Sequence, residues 1–315
     1  MPGITPEATP PRTDRTRYDL AAAIAARAHS AGVHPTAWPG LDFVREDHPR
    51  ARGPVVLEPC VCFVVQGCKR AFLGSEVFTY DPLRYLNVAV PVLVETEIVT
   101  ASPEHPYLAV RLRLQPAIVS DLLLELGDDL WRQAPDAPQR GIYTSSMDDG
   151  LHGAVHRLVE SINDPADRRV LAPLAEREVV YRLLMGEQGT RLRDAALRDS
   201  QTHRISQVIR YLHTHYDEPL DIATLADVAN MSPSTLHHVF RAVTTTTPLQ
   251  CLKQIRLYRA RLLMLHDGLS VGEAAHRVGY GSPSQFSREY RRRFEIAPRD
   301  DIDAHHRSAR PYPET

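Results

Sequence analysis

The spacing of hydrophobic positions changes along the chain, and it divides the chain into regions of different secondary structure. Residues 18–32 (YDLAAAIAARAHSAG) are rich in alanine and end on Gly32, which predicts a helix. Between about residues 55 and 115, short β-branched and aromatic runs alternate with glycine and proline. This pattern predicts several short strands in a sandwich or barrel.

Helical spacing returns at residue 116. The segments 116–127, 151–163 and 173–186 each predict a helix, and in the second of them the apolar residues share one face. The polar segment 187–201 is interpreted as a connector between domains that is helical in part. A β-rich region is therefore expected to be followed by a group of helices.

From residue 203 onward the spacing is helical throughout. Helices are expected over residues 203–216, 220–230, 232–244, 248–268, 270–279 and 282–294. The fourth of these is the longest, and Gly268 ends it.

Two of these helices begin with nearly the same sequence, SPSTLHHVF at residues 232–240 and SPSQFSREY at residues 282–290. In each copy the serine is a good N-cap and the proline suits the first helical position. Ser282 and Gln285 also match a capping box. The apolar residues of each copy form one stripe and the polar residues form the opposite one. The apolar stripes are Leu236, Val239, Phe240 and Val243 in the first copy and Phe286, Tyr290 and Phe294 in the second.

A short amphipathic helix and a tight turn precede each copy. The turns contain Asn230 in the first copy and Gly279 and Gly281 in the second, residues that tolerate a left-handed backbone. Helix, turn and capped helix together form the helix-turn-helix pattern. A single copy fits a packed helical hairpin equally well, but two matched copies in a basic region favour DNA binding. Residues 200–299 carry 13 Lys and Arg against 8 Asp and Glu, although the whole chain has a net charge of −2.

Residues 203–300 resemble the DNA-binding domain of AraC/XylS-type transcriptional regulators. The resemblance lies in the segments ANMSPSTLHHVFRAVT, PLQCLKQIRLYRARLLM and AAHRVGYGSPSQFSREYRRRF. It implies two helix-turn-helix units joined by one long helix over residues 249–265, so that a single chain reads two successive major grooves. One departure is the loop at residues 244–248, which lacks the glycine that many members place there.

The resemblance also assigns candidate roles to the outward polar residues of the two copies. The base-facing candidates are Ser234, His237 and His238 in the first copy and Ser284, Gln285, Ser287 and Arg288 in the second. Arg288 is the strongest of them because arginine pairs bidentately with guanine; a phosphate contact or a solvated charge is the alternative. Arg241, Arg291 and Arg292 are expected to contact phosphates. The implied partners are double-stranded DNA at promoter sites and RNA polymerase.

Residues 54–115 resemble, more loosely, the N-terminal domain of one branch of the same family. The match lies in PCVCFVVQGCKRAFLG, VFTYDPLRYL and ASPEHPYLAVRLRL. It implies a cupin-like small β-barrel that binds a small-molecule effector, followed by helices used for dimerisation. A catalytic cupin needs a close cluster of histidine and carboxylate ligands, and His105 is the single histidine between residues 55 and 115. No metal, no other cofactor and no enzymatic activity are therefore expected.

Three cysteines of this region are candidate sensors of oxidants or electrophiles. Cys60 and Cys62 are two residues apart on an expected strand, so their side chains face the same side. Cys68 precedes Lys69 and Arg70, whose charges are expected to lower its pKa. The alternative is that these thiols are small buried hydrophobic groups. The four cysteines of the chain are unevenly spaced and do not indicate a disulfide framework.

Together these patterns predict an α+β protein of two domains: a cupin-like β-barrel with a helical hairpin, and an all-α domain with two helix-turn-helix units joined by a long helix. The expected divisions are a disordered leader at 1–17, a sensor domain at 18–150, a dimerisation and connector segment at 151–201, a DNA-binding domain at 202–300 and a flexible tail at 301–315. A signal-peptide core and membrane-length apolar runs are missing from the sequence, so a cytoplasmic protein without membrane contact is expected. The family resemblance implies a homodimer. The rival functions are a cupin oxygenase or isomerase with a regulatory tail, and an architectural DNA-binding protein without sequence preference.

Overall fold

The computed structural model describes residues 20–127, 140–196 and 200–308. Their contacts form two compact units, which divide between His203 and Arg204 in the chain. The N-terminal unit is rich in strands and the C-terminal unit is helical, which confirms the prediction of a two-domain α+β protein. None of the described helices is long and apolar enough to cross a membrane. The leader expected at 1–17 lies outside the described residues.

Within its described residues, the N-terminal unit contains ten strands in two antiparallel sheets. The strands are β1 (Gly32–Pro35), β2 (Leu41–Glu46), β3 (Arg50–Leu57), β4 (Cys60–Gln66), β5 (Cys68–Leu73), β6 (Glu76–Tyr80), β7 (Arg84–Val88), β8 (Val92–Thr100), β9 (Tyr107–Leu112) and β10 (Ile142–Ser146). One sheet has six strands in the order β1-β2-β9-β4-β7-β10, and the other has four in the order β3-β8-β5-β6.

The two sheets share one apolar core, called here the inter-sheet core. Strand β8 (VLVETEIVT) contributes alternate residues to it, as expected for a strand with one buried face. The inter-sheet core contains Cys60, Val64, Ala71, Leu73, Tyr80, Leu86, Val88, Val92, Val94, Ile98, Tyr107, Ala109 and Ile142. Because both sheets contribute side chains to it, they face each other across this core.

The other face of the six-stranded sheet is covered by helices. These are a short helix at residues 20–25, α1 (Pro116–Leu126), α2 (Asp149–Ser161), α3 (Pro165–Met185) and α4 (Gly189–Ala196). Phe63 and Val110 of the sheet lie in one buried cluster with Leu158 and Val179 of the helices. Strand β4 therefore buries both faces, which explains its nearly continuous apolar sequence CVCFVVQ.

The first helix is shorter than the sequence predicts. Of the segment 18–32, residues 20–25 are helical, and Gly32 begins β1 instead of ending a helix. Backbone pairing of β1 with β2 overrides the weak helix propensity of the last residues of this segment. Strands β1, β2 and β10 also lie outside the region 55–115 in which the sequence predicts strands.

Helix α3 is longer than predicted, since it begins at Pro165 and not at Pro173. Asp164 caps it by accepting hydrogen bonds from two backbone N–H groups of the first turn, and Pro165 takes the first helical position. Pro173 consequently lies inside the helix. The connector predicted at 187–201 is helical in its first part, as α4.

Glu176 of α3 is a fully buried carboxylate that joins the helix to the loop between β1 and β2 and to the residue before α1. Trp38 Nε1 donates a hydrogen bond to Glu176 Oε2 over 2.9 Å, and Gln115 Nε2 donates to the same oxygen over 3.1 Å. Burial raises the pKa of Glu176, and the two hydrogen bonds offset part of that rise. Neither partner carries a charge.

The remaining helices run from just before the boundary between the units to residue 308. They are α5 (Gln201–Thr214), α6 (Ile222–Val228), α7 (Pro233–Thr244), α8 (Pro248–Leu265), α9 (Val271–Arg277), α10 (Pro283–Phe294) and α11 (Pro298–Ser308). The first six correspond to the helices predicted from the sequence. The tail predicted to be flexible from residue 301 is instead helical to Ser308, as part of α11.

Candidate nucleic-acid interface

The first of the two repeated segments forms helix α7, which follows α6 after a tight turn. Asn230 lies in this turn with a left-handed φ of 48°. The Ser232 hydroxyl caps α7 by accepting a hydrogen bond from the Thr235 backbone N–H over 3.2 Å, and Pro233 takes the first helical position. The predicted cap of the first copy is confirmed.

The second copy forms helix α10, which follows α9 in the same way. Gly279 lies in this turn with a φ of 83°, and a Cβ atom there would stand 2.5 Å from the carbonyl oxygen of Asp217. Glycine is therefore required both by the backbone conformation and by the close approach of a neighbouring chain segment. The Ser282 hydroxyl caps α10 by accepting from the Gln285 backbone N–H over 3.3 Å.

The apolar stripes of α7 and α10 are buried as the sequence predicts. Leu236 and Phe240 are fully buried in the first copy, as are Phe286 and Tyr290 in the second. The rings of Phe286 and Tyr290 lie with their centres 5.5 Å apart. Because each helix buries one stripe, its opposite stripe is directed to solvent.

Nearly all the candidate DNA-contacting residues lie on these outward stripes. The exposed ones are Ser234, His237, His238, Arg241, Ser284, Gln285, Arg288, Arg291 and Arg292. Ser287 is half-buried, and its hydroxyl donates a hydrogen bond to the Pro283 carbonyl over 2.9 Å. Its hydroxyl proton is thus used within the helix, which leaves Ser287 as an acceptor toward solvent.

The capping box predicted at Ser282 and Gln285 is wrong in one of its two hydrogen bonds. Gln285 Nε2 donates to Glu289 Oε1 over 3.2 Å, so its side chain is turned along the helix. Complete capping boxes occur at the starts of α8 and α9 instead, with Thr247 and Ser270 as the N-caps. The sequence pattern fits all three helix starts, and the ionised neighbour Glu289 decides against the box at α10.

The loop that lacks a glycine uses threonine in the left-handed position. Thr245 follows α7 with a φ of 65°, and Glu295 follows α10 with a φ of 61°. Glycine is the usual residue at such helix ends because it has no Cβ. The two repeats therefore end in the same backbone conformation without it.

Helix α8 joins the two repeats, and its polar side chains contact residues before the first repeat and within the second. Arg256 donates to the backbone carbonyls of Tyr216 and Glu218 over 2.6 and 2.8 Å. Lys253 Nζ donates to Glu289 Oε1 over 2.9 Å. The linking helix is thus anchored to residues before the first repeat and within the second.

Asp301 of α11 is a buried carboxylate that sequence reasoning missed. Arg261 donates to both of its oxygens, over 2.8 and 3.0 Å, and the Tyr290 hydroxyl donates over 2.5 Å. Burial and the hydrogen bond to Asp301 raise the pKa of Tyr290. Tyr290 belongs to the buried face of α10. This cluster therefore joins that face of α10 to helices α8 and α11.

In the N-terminal unit, Cys60 and Cys62 both border the inter-sheet core, which confirms that they face the same side. Burial raises the pKa of Cys60 to about 12 and raises that of Cys62 as well. The lowered pKa predicted for Cys68 is wrong: burial and the charge of Asp81 raise it, and the charge of Arg70 opposes this only in part. At neutral pH these three side chains are thiols rather than thiolates.

Lys69 also faces the inter-sheet core, from strand β5. Its ammonium lies 5.9 Å from the centre of the Tyr107 ring, and Cys62 Sγ lies 3.8 Å from the Tyr107 hydroxyl. Burial lowers the pKa of Lys69. In the part of the chain that the structure describes, the Lys69 ammonium has no hydrogen bond or ion pair. The same part of the chain holds no group of three or more histidines, cysteines or carboxylates arranged for a metal ion.

Two family models match the chain. The first, described as AraC-type transcriptional regulator N-terminus, matches residues 37–191, and the second, described as a helix-turn-helix domain, matches residues 225–302. Among curated proteins, the HTH-type transcriptional activator RhaS of Citrobacter koseri is 31% identical over 148 residues, 46% of this chain and 52% of that protein. The chain thus spans about half the length of curated relatives that it matches.

Solved structures of ToxT from Vibrio cholerae have a similar fold. Wild-type ToxT with an unsaturated fatty acid bound gives a TM-score of 0.54 at 10% identity, over 84% of this chain and 93% of that chain. ToxT bound to (E)-4-(8-methylnaphthalen-1-yl)but-3-enoic acid gives 0.51 at 10% identity, over 84% of this chain and 99% of that chain. At this identity the likeness concerns the fold alone.

The matched segments agree with the two units of the structure. One takes in most of the strands and the helical layer, the other takes in both capped helices and the linking helix, and together they cover more than half of the chain. The chain belongs to the family of AraC-type transcriptional regulators.

Proposed function

We propose that the protein is a sequence-specific DNA-binding transcriptional regulator. The observation that carries the proposal is the pair of capped helices α7 and α10, each with a buried apolar stripe and an exposed polar stripe. Each fits the second helix of a helix-turn-helix unit, which enters the major groove. Helix α8 has 18 residues and is therefore roughly 27 Å long. This length suits two units that read successive major grooves on one face of the duplex.

Within this proposal the outward residues divide by position along each helix. The residues of the first two turns, which include His237, His238 and Arg288, would contact base edges. Arg241, Arg291 and Arg292 lie further along, where phosphate contacts are expected. RNA polymerase is the implied protein partner at the promoter, on the strength of the family.

The test is genome-wide mapping of binding sites, followed by competition of a mapped site against random DNA at fixed salt. We expect the mapped site to compete at least about a thousandfold better than random DNA. Equal competition would show an architectural protein without sequence preference. A stoichiometric transition metal in the purified protein would revive the alternative of a cupin enzyme.

We infer that a small-molecule effector controls DNA binding from the N-terminal unit. A cupin-like barrel formed by the two sheets would hold it in the inter-sheet core, and ToxT, of similar fold, has been solved with a fatty acid bound. Lys69 supports this location, because its ammonium forms no ion pair within 4 Å among the described residues, although the charge of Glu46 acts on it from further away. The thiol groups of Cys60, Cys62 and Cys68 are the other candidate contacts.

Variants of these residues test the effector site. If the effector carries an anionic group, Lys69→Met should reduce the inducer response in a reporter assay at least tenfold, because a buried unpaired charge in the ligand is costly. A triple Cys→Ser variant tests sensing by thiols in the same assay. An unchanged response in that variant rules out the thiols, whereas an unchanged response in both variants places the effector elsewhere.

We also infer a homodimer through helix α3. Val170, Leu174, Tyr181 and Met185 are apolar residues with 41–61% of their surface exposed, and their spacing places them along one side of the helix. The half-buried Arg177 and Glu178 lie between the two apolar pairs. Exposed apolar residues grouped on one side of a helix are typical of a surface that packs on a partner. A second copy of the chain can cover it by antiparallel pairing of two such helices.

A further inference from the structure

Glu289 of α10 gathers three donors in the second repeat. Its Oε1 accepts from Lys253 Nζ over 2.9 Å and from Gln285 Nε2 over 3.2 Å, and its Oε2 accepts from the Tyr280 hydroxyl over 2.9 Å. The Glu289 side chain is 13% exposed. Burial favours its neutral form, but these hydrogen bonds outweigh burial and lower the pKa of Glu289. It is therefore an ionised carboxylate, held from three directions, at the base of the outward stripe.

The ionised carboxylate fixes the orientation of the Gln285 amide. A carboxylate only accepts hydrogen bonds, so the nitrogen of the amide and not its oxygen must face Glu289. One N–H of Gln285 is used in this way. The amide oxygen and the other N–H remain, and they share one edge of the amide when Glu289 takes the N–H that points away from the amide oxygen. Gln285 is exposed and lies in the first turn of α10, the part of a recognition helix that contacts base edges.

The first repeat has no such arrangement. The residue that corresponds to Gln285 is Thr235, whose hydroxyl lies 2.8 Å from that of its N-cap Ser232. The residue that corresponds to Glu289 is the buried Val239. Of the two repeated helices, only α10 therefore carries a carboxylate at this position.

We infer that Glu289 is a positioning residue that holds Gln285 ready to read an adenine in the second half of the DNA site. The free edge of the Gln285 amide offers one acceptor and one donor, which match the N6 amino group and the N7 atom of adenine. Holding the amide before binding reduces the side-chain entropy that is lost on contact. The inference rests on the proposed function, and it adds a base and a residue pair to it.

The experiment measures binding of the full-length protein to a mapped site in which each base pair of the second half is replaced in turn. Wild-type protein should prefer adenine at one position by roughly five- to hundredfold. Gln285→Ala and Glu289→Ala should each reduce that preference to about twofold or less and leave the preferences at other positions intact. The double variant should lose no more than either single variant.

Two controls separate positioning from folding. Glu289→Gln keeps an acceptor for Gln285 and can hydrogen-bond Tyr280 and Lys253, so it should retain the adenine preference. Lys253→Met removes another donor of Glu289 and should change affinity for all sequences alike. The inference is overturned if Glu289→Ala weakens every sequence equally, or if Gln285→Ala relaxes no position. Failure of the wild-type protein to distinguish the mapped site from random DNA would instead overturn the proposed function.

Discussion

Arg288 and Arg292 have the same charge and lie one turn apart on the outward side of helix α10. We nevertheless expect Arg288 to contact a base and Arg292 to contact a phosphate. Arg288 is closer to the start of the helix, where side chains reach base edges. Arg292 is closer to its end, where we expect phosphate contacts. Removing either side chain deletes one positive charge, so the two variants are matched controls for each other.

Arg288→Ala should relax the preference for guanine at one position and cost about 1–3 kcal/mol of binding free energy there. Arg292→Ala should weaken all sequences about equally and reduce the slope of log K against log salt by about 1. Fluorescence anisotropy with single-base variants of a mapped site, at several salt concentrations, measures both. If both variants behave like Arg292→Ala, the assignment of Arg288 to a base is wrong.

Glu176 illustrates how one buried group can make stability depend on pH. Its pKa is raised in the folded protein, so folding favours the protonated form. The stability that this group contributes is complete below the ordinary pKa of glutamate, 4.5, and is lost as pH rises through the raised value. Each unit of difference corresponds to about 1.4 kcal/mol.

Glu176→Gln mimics the protonated form and should remove this dependence. The free energy of unfolding of the variant, relative to that of the wild type, should increase from pH 4.5 upward and then level off. Urea unfolding followed by tryptophan fluorescence is suitable, because Trp38 contacts Glu176 directly. A difference that is constant across this range would mean that the carboxylate is ionised at no cost in the folded protein.

At the scale of elements, the turn between α9 and α10 sets the angle between these two helices. Gly279→Ala should destabilise the protein by about 1–3 kcal/mol, because the added Cβ would meet the Asp217 carbonyl oxygen in a left-handed conformation. Gly281→Ala, two residues on, is the control, since a Cβ there meets nothing within 4 Å. Thermal unfolding measures both, and equal melting temperatures would contradict the requirement for glycine at 279.

The repeat shows how much of the fold the sequence could reveal. Serine, proline and the apolar spacing mark the start and the buried face of α7 and α10 because caps and stripes are local properties. The start of α3 was misplaced because Pro165 and Pro173 are both acceptable first residues, and only the cap from Asp164 distinguishes them. The helix predicted at 18–32 was too long because Gly32 pairs with β2, a strand that lies outside the segment, and so begins β1.

For the candidate site, too, the sequence predicts features that depend on neighbouring residues and misses those that depend on residues far away in the chain. The outward residues follow from the period of one helix, so the sequence was enough to select them. The contacts that hold Glu289 and Asp301 in place include partners 36 and 40 residues away, Lys253 and Arg261. No spacing rule within one helix contains that information. The prediction of a lowered pKa for Cys68 was wrong for a similar reason, since burial outweighs the charge of its sequence neighbours.

At the scale of the whole molecule, the proposed self-association through α3 would determine how many copies of helices α7 and α10 one DNA site engages. Leu174→Glu places a charge in the middle of the proposed interface and should convert the dimer to a monomer. Leu83→Glu is the matched control, because Leu83 is similarly exposed, at 58% against 61%, and lies in the turn between β6 and β7. Sedimentation at tens of micromolar measures both, and a wild-type protein that is monomeric there would exclude the dimer.

The contact of Asp301 with Arg261 and Tyr290 has a consequence for the gene. A stop codon or frameshift shortly before codon 301 would spare every residue of both reading helices. It would nevertheless leave a guanidinium and a tyrosine hydroxyl without their shared acceptor at the back of α10. Truncations shortly before codon 301 should therefore be recovered as loss-of-function alleles, although helices α7 and α10 remain intact in sequence.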